Sequence, residues 1–148
     1  MLREESKAPD FKLVGDDGKT HTLADFRDTT LVLYFYPKDD TPGCTIEARD
    51  FSKLLPQIKK AGADVVGVSK DGFDSHCKFR DKYKLKVLLL SDPTGKTIKS
   101  YGAYGDRGIF GKGTLRKTFV IRKGKIVKDF GKVSAIGHAA AVLEYLKK

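Results

Sequence analysis

The residues with the most chemical promise stand in PKDDTPGCTIE, residues 37–47, where Pro37, Thr41 and Cys44 follow a short apolar run. A thiol attacks as its thiolate, and a helix N-terminus favours that form with free backbone N–H groups and the positive end of the helix dipole. Cys44 occupies such a place, because LVLYFY, residues 31–36, stops at Pro37 and a helical pattern begins at the cysteine. Thr41, three residues earlier, can turn its hydroxyl toward the same point, and Pro42-Gly43 shape a turn that lets the backbone approach a small ligand. This segment holds a single thiol, so no disulfide can close within it, and the chemistry it suits is attack on an outside oxidant. The plainer alternative is that Cys44 packs as a small buried hydrophobe, the common fate of a free cysteine.

The elements that must hold these residues can be traced along the chain. Apolar and polar residues alternate in FKLVGDDGKTHTL and turn at Asp17-Gly18, which predicts an N-terminal β-hairpin. LVLYFY does not alternate, as expected of a strand buried on both faces. CTIEARDFSKLLPQIKKAG places Ile46, Phe51, Leu54, Leu55 and Ile58 at roughly helical intervals and stops at Gly62, with Pro56 expected to kink or interrupt the helix. ADVVGVS predicts a second buried strand, followed by a helix from about Asp74 to Tyr83 and a third strand in KVLLLSD. A short helix around Lys96 to Tyr101 leads to a Gly-rich loop, the strands RKTFVIRKG and KIVKDFG flank a Lys123-Gly124 turn, and a last helix spans about Ala135 to Lys147. Strands alternating with helices, closed by a hairpin and a helix, argue for an α/β fold with a central mixed sheet flanked by helices.

Composition bounds the reading. At 148 residues, 40% of them apolar, one domain spanning 1–148 is expected. The opening MLREESKAPDF lacks a leader pattern, and no run of about 18 apolar residues suggests a membrane span, so a soluble cytoplasmic protein is expected. Two cysteines 33 residues apart make no disulfide framework, and a reducing compartment favours working thiols over structural bridges. The net charge of +10 resides in the second half: residues 1–74 hold 11 Lys/Arg against 14 Asp/Glu, and residues 75–148 hold 18 against 5. Those lysines interleave with apolar residues, as on the wet faces of strands and helices, and no nucleic-acid module accompanies them, so nucleic-acid binding is disfavoured. His21, His76 and His138 have no metal-ligand spacing, and GAYGDRGIFGKGTLRK lacks a phosphate-loop pattern, so neither a metal nor a bound organic cofactor is expected.

Pro37, Thr41 and Cys44 together form P-x-x-x-T-x-x-C, the active-site motif of peroxiredoxins, and T-x-x-C resembles the C-x-x-C of thioredoxin-like proteins with its first cysteine replaced. The resemblance extends through APDFKL, LYFYPKDDTPGCTIEARDF, VVGVSKDGFDSHCKFRDKY, LLLSD and RKTFVIRKGKI, and the chain is similar to the peroxiredoxin Q group, also called bacterioferritin comigratory proteins. This resemblance implies a thioredoxin-like fold with an N-terminal β-hairpin extension. It also implies a thiol-dependent peroxidase acting on hydrogen peroxide and organic hydroperoxides, recycled by a cellular dithiol such as thioredoxin, in a monomer or weak dimer. By the same resemblance Cys44 is the peroxidatic cysteine, Thr41 hydrogen-bonds peroxide and thiolate, and Pro37 shields the sulfur. Arg116 is the active-site arginine, whose charge favours the thiolate and the charge growing on the departing oxygen. Read without the family, Arg116 is one of seven arginines at the start of a strand. Glu47, three residues after Cys44, either favours the helix N-terminus electrostatically or contacts Thr41 or Arg116.

Two departures bear on mechanism. Arg49 stands five residues after Cys44, where many members of the group carry a second cysteine. Cys77 lies in the region where another subset places its resolving cysteine, although its own surroundings also allow inert packing beside Phe73, Phe79 or Arg80. A disulfide needs Cα atoms within about 7 Å, so if Cys44 and Cys77 are farther apart the first turn of the Cys44 helix must unwind. The rival class is a non-catalytic thioredoxin-like redox-interaction domain that docks an acidic partner through the basic half. A disulfide reductase is disfavoured by the single thiol of the motif.

Overall fold

The apolar run that ends before Pro37 lies deep inside the sheet. In the computed structural model, which describes residues 5–148, the chain forms β1 (Lys12–Gly15), β2 (Thr20–Thr22), a 3₁₀ turn (Leu23–Phe26), β3 (Thr30–Phe35), α1 (Pro42–Lys60) and β4 (Ala63–Ser69). It continues through α2 (Phe73–Tyr83), β5 (Leu88–Ser91), α3 (Lys96–Ser100), β6 (Tyr104–Asp106), a 3₁₀ turn (Gly108–Phe110), β7 (Lys112–Thr114), β8 (Lys117–Arg122), β9 (Lys125–Lys132) and α4 (His138–Leu146). Residues 1–4, the start of the segment read for a leader, lie outside the described residues.

Seven strands share one mixed sheet in the order β2-β1-β5-β4-β3-β8-β9. β3 pairs in parallel with β4 and antiparallel with β8, and β4 continues in parallel to β5. Successive side chains of a strand point to opposite faces, and here both faces are covered. Val32, Tyr34 and Tyr36 pack with Phe51 and Ile58 of α1, Phe79 of α2 and Val142 of α4, while Leu31, Leu33 and Phe35 pack with Leu13, Ile98 and Tyr101. That two-sided burial is why the β3 sequence shows no alternation.

Both predicted tight turns form. Gly18 (φ 79°) closes the β1–β2 hairpin, and Lys123 (φ 50°) with Gly124 (φ 78°) gives the two left-handed residues that a two-residue turn between β8 and β9 requires. Three expectations need correction. Pro56 does not interrupt α1, which runs unbroken from Pro42 to Lys60 with the proline on its exposed face, where water can serve the carbonyl that proline leaves without a helical donor. The Gly-rich segment is not all loop, since β6 and β7 pair as a separate two-stranded ribbon. The last helix begins at His138 instead of Ala135, because Gly137 takes φ 76° and breaks the helical path before it. Among the described residues no helix is long and apolar enough to cross a membrane.

Candidate active site

The chain leaves β3, passes Pro37, and enters α1 with Thr41 as the residue just before the helix, in extended conformation (φ −96°, ψ 156°). Pro42 and Gly43 are the first two helical residues and Cys44 the third, so the thiol sits in the first turn, where backbone N–H groups lack intrahelical acceptors. The side chain of Thr41 does not cap these groups; its hydroxyl donates instead to the carbonyl of Lys38 at 2.8 Å. The turn's donors therefore stay available around Cys44, and the hydroxyl oxygen of Thr41 keeps its lone pairs for a ligand. Cys44 is 2% exposed.

The guanidinium of Arg116, just before β8, spans two acceptors: Nη2 donates to Cys44 Sγ at 3.3 Å and Nη1 to Glu47 Oε1 at 2.7 Å. The antiparallel pairing of β8 with β3 brings these side chains together across 72 residues of sequence. Gly43 makes the approach possible, since a Cβ there would stand 3.0 Å from Arg116 Nη2. Glu47 is fully buried, and its Oε2 has no hydrogen-bond partner. Burial raises its carboxyl to about 7; the charge and hydrogen bond of Arg116 pull the other way without overcoming it. For Arg116 burial weakens the cation, but Glu47 and Cys44 more than restore it and its pKa rises. The carboxyl thus serves chiefly as a clamp that fixes the direction of Nη2. Beside it, His138 donates to or accepts from Thr118 Oγ1 at 2.7 Å, and burial with the nearby Arg116 charge lowers its pKa to about 4, leaving a neutral imidazole at neutral pH.

An open hollow beside Arg116 is lined by Pro37, Leu115, Arg116 and Val133, with Asp106, Arg107 and Lys132 also on its walls. Arg116 thus touches Cys44 directly and shares the hollow with Pro37, while Thr41 stands at the start of α1, three residues before the thiol. Cys77 stands apart from it. It lies half-buried on α2 with Sγ 3.6 Å from the carbonyl oxygen of Asp16, and both cysteines are free thiols. The two thiols have different partners: Cys44 Sγ faces Arg116 just before β8, and Cys77 Sγ faces Asp16 just after β1, with β5, β4 and β3 between those two strands in the sheet. Of the two roles open to Glu47, the contact to Arg116 is the one observed, and its hydrogen bond goes to Arg116, not to Thr41. Among the described residues no cluster of His, Cys, Asp and Glu could hold a metal ion. The sequence had no signal for His138, whose partners come from β8 and α1, or for His76, whose buried contacts are described below.

A buried thiol at a helix start, faced by a clamped guanidinium on a mixed sheet, defines a thiol-based redox enzyme of thioredoxin-like architecture. The chain belongs to the AhpC/TSA family, whose model matches residues 5–130. It is 49% identical over 143 residues to the putative peroxiredoxin bcp of Helicobacter pylori strain J99, covering 94% of each chain. Among solved structures, peroxiredoxin Q of Xylella fastidiosa, in a cysteine-to-serine variant, superposes with TM-score 0.94 at 33% identity over 99% of this chain and 96% of that one. The bacterioferritin comigratory protein of Xanthomonas campestris, studied for its alkyl peroxide reduction activity, superposes with TM-score 0.88 at 38% identity over 93% of this chain and 90% of that one. The fold is thioredoxin-like and the chain is a thiol-dependent peroxidase of the peroxiredoxin Q type, which takes a peroxide as substrate and a thiol as reductant. The non-catalytic redox-interaction domain raised by the sequence gives way to this reading.

Proposed function

We propose that Cys44 is the peroxidatic residue, with Arg116, Thr41 and Pro37 completing its site and Cys77 resolving the product. The observation that carries the assignment is the guanidinium of Arg116, held by buried Glu47 and donating to Cys44 Sγ at 3.3 Å. The Cys44 thiolate attacks one oxygen of the hydroperoxide, an S–O bond forms, the O–O bond breaks, and the departing alkoxide or hydroxide takes a proton to leave as alcohol or water. Arg116 and the first-turn N–H groups oppose the negative charge that moves from sulfur to the departing oxygen. Thr41, its proton committed to the Lys38 carbonyl, accepts a hydrogen bond from the peroxide O–H. Pro37, which lines the hollow beside Arg116, limits water near the sulfur.

The sulfenic acid left on Cys44 is the first rung of the sulfur oxidation ladder. Cys77 then closes a disulfide with it, and a cellular dithiol of the thioredoxin kind reduces that bond. For the sulfurs to meet, Cys77 leaves the Asp16 carbonyl and Cys44 leaves Arg116, which calls for movement of α2 and of the first turn of α1. Hydrogen peroxide and organic hydroperoxides are the proposed substrates, the described residues form one catalytic domain, and a cytoplasmic monomer or weak dimer is the proposed working form.

Mass spectrometry after one equivalent of peroxide tests the assignment. The parent should lose two hydrogens and yield a peptide linking residues 44 and 77, Cys44→Ser should consume no peroxide, and Cys77→Ser should accumulate higher oxidation states or dimers through Cys44. Retained activity in Cys44→Ser would remove the whole assignment; a parent that stops at sulfenic or sulfinic acid with Cys77 still alkylatable would make it a one-cysteine enzyme.

A further inference from the structure

Two aspartates fasten the loop before α1 to the helix that carries Cys77. Asp39, 7% exposed, accepts the Tyr36 hydroxyl on Oδ1 at 2.6 Å, and on Oδ2 the Ser75 hydroxyl at 2.8 Å and His76 Nδ1 at 2.7 Å. His76 is fully buried on α2 next to Cys77, and its Nε2 lies 2.9 Å from the Leu90 carbonyl of β5. A carbonyl can only accept, so Nε2 carries a proton. A carboxylate already receiving two hydroxyls acts as acceptor toward Nδ1 as well, so that nitrogen also carries one. The ring is then an imidazolium. Burial opposes this charge, but the hydrogen bond and charge of Asp39, the Leu90 carbonyl and the charge of Asp71 prevail and raise the pKa of His76 above its ordinary value.

The groups that bond or act on the ring are acidic or neutral. Tyr36 faces it from the end of β3, Asp39 from the loop, Asp71 from the turn before α2, and Ser75 and Phe79 from α2 itself. At the other end of α2, Asp40 accepts Lys82 Nζ at 2.8 Å and the Tyr83 hydroxyl at 2.6 Å, a solvent-exposed contact that contributes less. None of these groups hydrogen-bonds Cys44, so peroxide reduction itself does not call on them.

We propose that the Asp39–His76 pair is a latch: closed, it positions the active-site loop against α2 and holds Cys77 away from Cys44, and its opening sets the rate at which the Cys44–Cys77 disulfide closes. This rests on the reading of Cys77 as the resolving residue. In that step the Cys77 thiolate attacks the sulfur of the Cys44 sulfenic acid; the S–S bond forms, the S–OH bond breaks, and hydroxide leaves and becomes water with the proton shed by Cys77. No further oxidant or reductant is involved. Because Cys77 follows His76 directly, α2 cannot carry its sulfur toward Cys44 without drawing His76 from Asp39 and Leu90. Raising the pH through the His76 titration removes one ring proton, leaves Asp39 or the Leu90 carbonyl without its donor, and opens the latch. His76 is thus a positioning residue.

Two measurements test it. Nitrogen NMR of the reduced protein at neutral pH should find both ring nitrogens of His76 protonated; a neutral tautomer there overturns the latch. Quenched single turnovers with peptide mapping then time the 44–77 link in the parent, His76→Gln and Asp39→Asn. Both variants should close the link roughly tenfold faster than the parent, the size expected from losing one charge-assisted hydrogen bond, and the ratio should shrink as pH rises through the His76 titration. Equal rates, or a ratio that ignores pH, overturn the latch alone, whereas absence of the link in every protein overturns the resolving role of Cys77 together with it. Should neither variant fold, the parent decides: its link rate must follow the deprotonated fraction of His76 seen by NMR, and a rate independent of that fraction overturns the proposal.

Discussion

Each of the two cysteines has an arginine nearby, and the two arginines are used in opposite ways. Arg116 is largely buried, its Nη1 tied to a fully buried carboxyl, so that Nη2 has one direction in which to point, toward Cys44 Sγ. Arg80, one turn after Cys77 on α2, is one-third exposed and spreads its donors over the Asp16 carbonyl at 2.7 Å, the Asp16 carboxylate at 3.3 Å and Asp81 at 3.0 Å. None of these bonds is aimed at Cys77, which shares only the Asp16 carbonyl. A charge that must meet developing charge in a transition state has to be fixed beforehand, because reorganising it would add to the barrier. The contrast therefore separates a guanidinium aimed at a sulfur from one that ties α2 to the residue after β1.

Substitutions at the two arginines give the largest expected difference. Arg116→Ala should slow sulfenic acid formation by roughly 10²-fold, the usual cost of removing one donor aimed at developing charge, as read by stopped-flow peroxide consumption. Arg80→Ala, whose bonds to Asp16 and Asp81 do not involve Cys44, should leave that step within about twofold. If both variants lose the same rate, the division of labour between them is wrong. Thr41→Val comes next, with a loss of roughly tenfold in the same assay for one hydrogen bond to the peroxide, while Thr41→Ser should keep most of the activity. Equal rates for all three residues at position 41 would return Thr41 to shaping the turn.

Much of this was legible in the sequence, and the rest was not, for reasons that lie in the distance between partners. The non-alternating β3 run, the Asp17-Gly18 and Lys123-Gly124 turns and the helix start before Cys44 are local signals, and each forms as expected. Pro56 does not break α1 because the helix's other face is held by Phe51, Leu55 and Ile58 while the proline stays exposed. The β6–β7 ribbon was hidden because its three-residue strands are rich in the glycines that otherwise mark loops. At the site, Cys44 and Thr41 announce themselves by spacing along one turn. Arg116, 72 residues beyond Cys44, became visible only through family resemblance. The Asp39–His76 contact had no such motif, and it exists because the sheet order sets β5 and α2 beside the loop that follows β3.

Glu47 offers the smallest effect on rate and the sharpest test of how the clamp works. Glu47→Gln keeps an acceptor for Arg116 Nη1, so peroxide consumption should fall only several-fold; its larger consequence concerns pH. The folded carboxyl titrates at about 7 against 4.5 when unfolded, so between those values the folded protein keeps a proton that the unfolded chain has released. Stability must then fall as pH rises from 4.5 to about 7 and level off above, by on the order of 3 kcal/mol from this group. His138 works in the reverse sense, since its folded pKa is lowered to about 4 from 6.5, and its contribution is lost as pH falls through that interval. Because His138 and His76 titrate in parent and variant alike, their slopes cancel in the difference between the two proteins. Urea unfolding across the range should therefore show Glu47→Gln gaining on the parent as pH climbs toward neutrality, with no further change above it. A difference that stays constant would mean that Glu47 is ionised throughout, that the attraction of Arg116 outweighs burial, and that the guanidinium facing Cys44 is held by a full ion pair at every working pH.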